Sequence, residues 1–177
     1  MSDSINASAQ LAEFTRRLLD GTARAIEDLT VDELHFRPHD GANSIAFEAW
    51  HIARTADNVI HFAFERDQPV WLQQRLDEAW KLPKVDQGTG MDPTEAHDLR
   101  FPEAGLLAGY VRDVSEAIVP RIEAMDDEYL QTVTMIRPQG EQPRLDIIGQ
   151  VIVVHGNNHL GQMNLVRTLQ GKEGLGF

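Results

Sequence analysis

The stretch Leu145–Gly171, LDIIGQVIVVHGNNHLGQMNLVRTLQG, decides the fold. Its apolar residues recur at helical spacing, and Ile148, Ile152 and Val166 share a stripe with His155 and His159. The segment therefore reads as a helix over about 145–170, with Gly171 placed to end it at the C′ position.

Three more segments carry the same periodicity. The first covers about 7–29, with Leu11, Phe14, Leu18, Ala23 and Ile26 on one inward stripe. Thr30-Val31-Asp32-Glu33 comes next as a capping box and opens a short helix that stops before Pro38. After an Asp40-Gly41 turn, the second long helix runs from Asn43 or Ser44 to about Glu65. The third covers about 102–125, with Leu107, Tyr110, Val111, Val114, Ile118 and Ile122 inward and Pro120 kinking it or marking its last turns. Residues 67–101 form a long connection with a helical piece from Trp71 to Trp80 and a start signal at Asp92-Pro93-Thr94-Glu95. A connection this long is often a binding element, and it lets the second and third helices run parallel. Residues 131–143 read as a loop or small hairpin. The fold class is all-α, a four-helix bundle, in one domain over 1–177.

Composition narrows the function classes. The chain has no cysteine, which excludes disulfides, thiolate metal sites and a protein thiol nucleophile; any thiol chemistry needs a small-molecule thiol. Acidic residues outnumber Lys and Arg by 28 to 16, for a net charge of −12, which repels nucleic acid and anionic lipid. No apolar run is long enough to span a membrane, and the opening MSDSINASAQ lacks signal-peptide character. A cytoplasmic protein with a small-molecule substrate, without nucleic-acid or membrane partners, is the expectation.

Seven histidines are present. His155 and His159 are four residues apart and lie about one turn apart on one helix face, where two imidazoles can converge on one ion. Two interior rings that merely hydrogen-bond remain the competing reading. His51, in the middle of the second helix, can complete a set of three across the 8–10 Å or so that separates bundle helices. Three neutral imidazoles with an open position are the pattern of a catalytic metal site. His35, His39, His61 and His97 read as solvated. Glu48, one turn before His51, is the candidate proton carrier or support for a ligand, against a reading as a solvated helix-start carboxylate. Gln162, seven residues beyond His155, faces the same way and is assigned with Trp50 to the substrate or the outer surroundings of the ion; Trp50 also reads as a helix or dimer contact. Gly149, Gly156 and Gly161 either admit close packing near the site or are tolerated variation.

The segment NSIAFEAWHIA, with HGNNHLGQMNLVRTLQG about a hundred residues later, resembles the DinB-like family, which includes bacterial low-molecular-weight-thiol transferases. The resemblance extends over nearly the whole chain. It implies an up-down-down-up bundle, frequent homodimers, and a metal centre of His51, His155 and His159 holding one divalent ion of nickel, zinc, manganese or iron. Some relatives carry Glu where this chain has His155, so the likeness is to the all-histidine branch. The resemblance implies three alternative functions. One is a metal-dependent S-transferase using a thiol of the bacillithiol or mycothiol type on electrophilic small molecules. The others are a hydrolase working through metal-activated water and a non-catalytic metal-binding stress-response protein.

Overall fold

The computed structural model describes residues 6–176. Its order is α1 (Ala7–Arg24), α2 (Val31–His35), α3 (Ile45–Asp57), α4 (Val70–Gln73), α5 (Leu76–Trp80), α6 (Pro93–Asp98), α7 (Ala104–Glu123) and α8 (Asp127–Gln131). The hairpin β1 (Val133–Ile136) and β2 (Gly140–Pro143) comes next, then α9 (Arg144–Ile147) and α10 (His155–Leu169). Two π-helical stretches complete the long helices: Asn58–Glu65 prolongs α3, and Ile148–Val154 joins α9 to α10.

Local chemistry explains the ends of these elements. Asn6 caps α1, and Thr30 and Glu33 cap α2 reciprocally, as the capping box requires. Ser44 accepts from the Phe47 N–H and starts α3. Gly171, at φ +77, supplies the left-handed residue that ends the last helix. Pro120 sits in the final turn of α7. The segment from Trp71 to Trp80 divides into α4 and α5 where Arg75 turns left-handed.

Helices α1, α3, α7 and α10 with their π extensions form a four-helix bundle. Leu18 meets Gly156 and Gly21 meets Leu160, so α1 and α10 run parallel. Ser8 bonds Glu123 and Glu27 pairs with Arg112, so α1 and α7 are antiparallel. With α3 and α7 parallel, the order is up-down-down-up, and the segment from Arg66 to Glu103 is the crossover that permits it. The inward residues expected on α7 are all buried.

Phe14 departs from expectation and is 45% exposed. The buried stripe of α1 runs through Ser8, Ala12, Thr15, Leu19 and Thr22, small polar residues included, and leaves Phe14 on the outer flank. Of the three helix-four glycines, only Gly156 admits close packing. A Cβ there would collide with Leu18 Cδ2, while Gly149 and Gly161 face open space.

Candidate metal centre

His51 lies two turns into α3, 4% exposed, with its ring stacked on Phe47. His155 and His159 occupy the first turns of α10, directly after the π-helical stretch. The core line of α10 passes through Gly156, Leu160, Met163 and Arg167, so both histidines lie on its flank, towards α3. They are half-buried, and the His159 side chain retains 19% exposure.

The three rings meet through one kind of atom. His155 Nε2 is 3.2 Å from His51 Nε2 and 2.9 Å from His159 Nε2. Two Nδ1 atoms point instead to a carbonyl, His51 to Gln87 at 2.5 Å and His155 to Val151 at 3.2 Å, while His159 Nδ1 lies against the Glu48 carboxylate without forming a hydrogen bond to it. A carbonyl can only accept, so in His51 and His155 the ring proton belongs on Nδ1 and the lone pair on Nε2. Lone pairs turned towards one another at such separations repel unless a cation lies between them. A tetrahedral zinc ion with bonds of about 2.0–2.1 Å places its nitrogens about 3.3 Å apart, close to what is found. Outward hydrogen bonds from ligand imidazoles are the usual support of such sites. One ligand atom from each residue lies within 4.8 Å of the others, so the donor set fits a metal ion.

The electrostatics favour the ligating form. Burial, reinforced by the other two histidines and opposed by the Gln87 carbonyl, lowers His51 to about 4. Burial first, and His159 second, also lowers His155. Both rings stay neutral at pH 7.

The surroundings correct several expectations. Glu48 is not solvated: at 2% exposure, it accepts from Asn43 Nδ2 at 2.9 Å through Oε1 and meets His159 through Oε2. Its position one turn before His51 turns it inward with that ring. Gln162 is exposed and makes no hydrogen bond to the triad, because its stripe lies on the flank of α10; with Asn43 and Glu48 it borders a cavity of about 190 Å³. Trp50 is wholly buried between Phe47, Trp71 and Phe101, so it meets neither solvent nor a second chain.

His61 is likewise not solvated. It is buried against Asp57, its Nδ1 2.8 Å from Oδ1. Asp57 also accepts from the N–H groups of Val70 and Trp71 and from the Tyr110 hydroxyl, which burial keeps protonated by raising its pKa. His35 is half-buried and bridges Val31 and Phe101, whereas His39 is exposed. His97 is half-buried in the crossover.

Sequence reasoning missed the groups that hold Gln87. Buried Arg54 donates through Nη2 to the carbonyls of Lys84, Val85 and Asp86 at 3.2–3.3 Å, and Asn58 donates to Gln87 Oε1 at 2.6 Å. Backbone carbonyls leave no trace in a sequence, though a charged Arg54 on an otherwise apolar helix face was a visible signal.

Fold and site together define a helical-bundle protein with a three-histidine cluster able to bind a metal. The chain belongs to the DinB superfamily, whose sequence profile matches residues 14–163. Two solved structures share the fold. A conserved protein from Enterococcus faecalis is 23% identical, with a TM-score of 0.78 over 92% of this chain and 96% of that one. YfiT from Bacillus subtilis, described as "a probable metal-dependent hydrolase with an unusual four-helix bundle topology", is 12% identical, with a TM-score of 0.67 over 98% of this chain and 93% of that one. A comparison with curated proteins finds no match. Among the described residues, no helix is long and apolar enough to cross a membrane.

Proposed function

We propose that the chain is a metal-dependent S-transferase that joins a low-molecular-weight thiol to an electrophilic small molecule in the cytoplasm. The observation that carries the metal reading is the convergence of three Nε2 atoms, with His51 and His155 tied to carbonyls through Nδ1 and His159 Nδ1 set against the Glu48 carboxylate. A divalent ion of nickel, zinc, manganese or iron, held by His51, His155 and His159, supplies positive charge that lowers the pKa of a thiol or of water.

The choice of transfer over hydrolysis rests on Glu48. Its Oε1 accepts from Asn43, and its Oε2 lies against His159 Nδ1, on the far side of that ring from the converging Nε2 atoms, so it stands behind a histidine and not over the open position where a base would be needed. A thiol acidified at the site needs no such base. Its thiolate forms a sulfur–carbon bond, the leaving group departs with its electron pair, and the thiol proton passes to solvent. The absence of cysteine is consistent with an external thiol. The exposed flank of His159 is the side from which reactants arrive.

Hydrolysis is the second reading, favoured by the description of YfiT, and a non-catalytic metal-binding role in stress response, as a homodimer, is the third. Elemental analysis should give about one divalent ion per chain, and less than about half would count against the centre. The metal-loaded protein should consume bacillithiol or mycothiol in the presence of an aryl halide, and His155→Ala should abolish this. Loaded protein that consumes neither thiol but cleaves esters would replace the transferase with a hydrolase; neither reaction would leave the non-catalytic role.

A further inference from the structure

One cavity near the start of α3 has a basic wall in an otherwise acidic molecule. The cavity, of about 350 Å³, lies between α2, the loop entering α3, and the end of α6. Its polar wall is Asp32, His35, Arg37, Asn43, His97 and Arg100. In a chain with 28 acidic and 16 basic side chains, this wall holds two guanidiniums against a single carboxylate.

The hydrogen bonding of these groups is uneven. His35 is fully engaged, with Nδ1 2.8 Å from the Val31 carbonyl and Nε2 accepting from the Phe101 N–H at 3.0 Å. It is therefore a neutral clip that shapes the wall. Arg100 donates Nη1 to the carbonyls of His97 and Leu99, at 2.7 and 3.0 Å, which fixes the guanidinium and leaves Nη2 without a partner among the described residues. Arg37 differs from both: its Nη1 is closed off from solvent and has no hydrogen-bond partner among the described residues. Arg37 Nε and Nη2 make no hydrogen bond among the described residues either and, unlike Nη1, are not sealed from solvent, so they are the donors free to meet an acceptor in the cavity. Asn43 and Ser44, which open the long helix Ile45–Glu65, add the positive end of its dipole to the same wall.

We propose that this cavity binds a small molecule through an oxyanion, a carboxylate or a phosphate ester, gripped by Arg37 and Arg100. Two guanidiniums offer paired N–H donors to such a group, a geometry that favours planar or tetrahedral oxyanions. The volume suits a small molecule rather than a polypeptide segment. Asn43 is shared with the metal centre, since it lines this cavity and donates to Glu48. The bound anion therefore sits beside the carboxylate that supports His159. None of the gripping groups is a metal ligand, so anion binding is measurable without the metal.

The test is calorimetric titration of the full chain, metal-free and at low ionic strength, with inorganic phosphate and separately with succinate. At least one anion should bind saturably at one site per chain. Arg37→Gln should weaken it about tenfold or more, Arg100→Gln should weaken it too, and Asp32→Asn should tighten it. Arg17→Gln, on the exposed side of α1, should change nothing. The better-bound probe distinguishes a phosphate site from a carboxylate site. No saturable binding of either anion below about 10 mM would overturn the proposal. So would binding unchanged in both arginine variants. Arg100→Gln keeps the test open if Arg37→Gln fails to fold, with the melting temperature of each variant as the control.

Discussion

Each imidazole of the triad has one nitrogen set against a carbonyl or carboxylate oxygen and the other turned to its two neighbours, so the three rings are not equivalent to other histidines of the chain. His51→Ala should drop metal content from about one ion per chain to a small fraction, measured by elemental analysis after dialysis. His61→Ala should leave that content unchanged while lowering stability by about 1–3 kcal/mol, because it removes one of the hydrogen-bond partners of buried Asp57. Glu48→Gln removes the charge facing His159 and should weaken metal affinity about 10–100-fold, read in a chelator competition. The histidines also set a pH dependence for the metal-free protein. Burial lowers His51 from its ordinary 6.5 to about 4 in the folded state. As pH falls, the unfolded chain takes up this proton first, so stability is retained above about 6.5 and lost progressively down to about 4. Melting temperatures of the metal-free protein that stay flat across that window would contradict the assignment.

At the level of elements, both helices that carry the clustered histidines contain π-helical stretches, one directly after Asp57 and one directly before His155. The wider turn rotates the residues beyond it about the helix axis, and π stretches recur at functional sites. The second stretch sets how α10 presents His155 and His159 to α3. No feature of the sequence marked either stretch, because the same residues satisfy a regular helix equally well until neighbours are packed against them. The glycines separate on the same ground. Gly156→Ala forces a methyl into Leu18, itself fixed in the core, and should cost about 1–3 kcal/mol. Gly161→Ala meets open space and should gain up to about 1 kcal/mol from helix propensity. Denaturant unfolding of the two variants should give opposite signs.

For the whole molecule, the crossover is part of the site. Arg54 and Asp57, a turn apart on α3, grip it at the carbonyls of Lys84–Asp86 and at the N–H groups of Val70 and Trp71, and Gln87 then reaches His51. Arg54→Met should loosen that grip. Amide exchange in residues 84–90 should accelerate, and bound metal should be released about tenfold faster. Unchanged exchange there would detach the crossover from the centre. The four helices, the capping box, the crossover and the HxxxH pair were legible in the sequence, because helical periodicity, capping chemistry and a four-residue spacing are local properties. His51 was legible only as a third histidine on a neighbouring helix. The sequence by itself thus determined the elements and two of the three converging rings. Tertiary structure alone decided that Glu48 and His61 turn inward, that Trp50 is sealed in the core, that Gln162 stays outside, and that a carbonyl of the crossover orients His51. Those outcomes depend on which flank of a helix meets which neighbour, and that is fixed only when all four helices pack together.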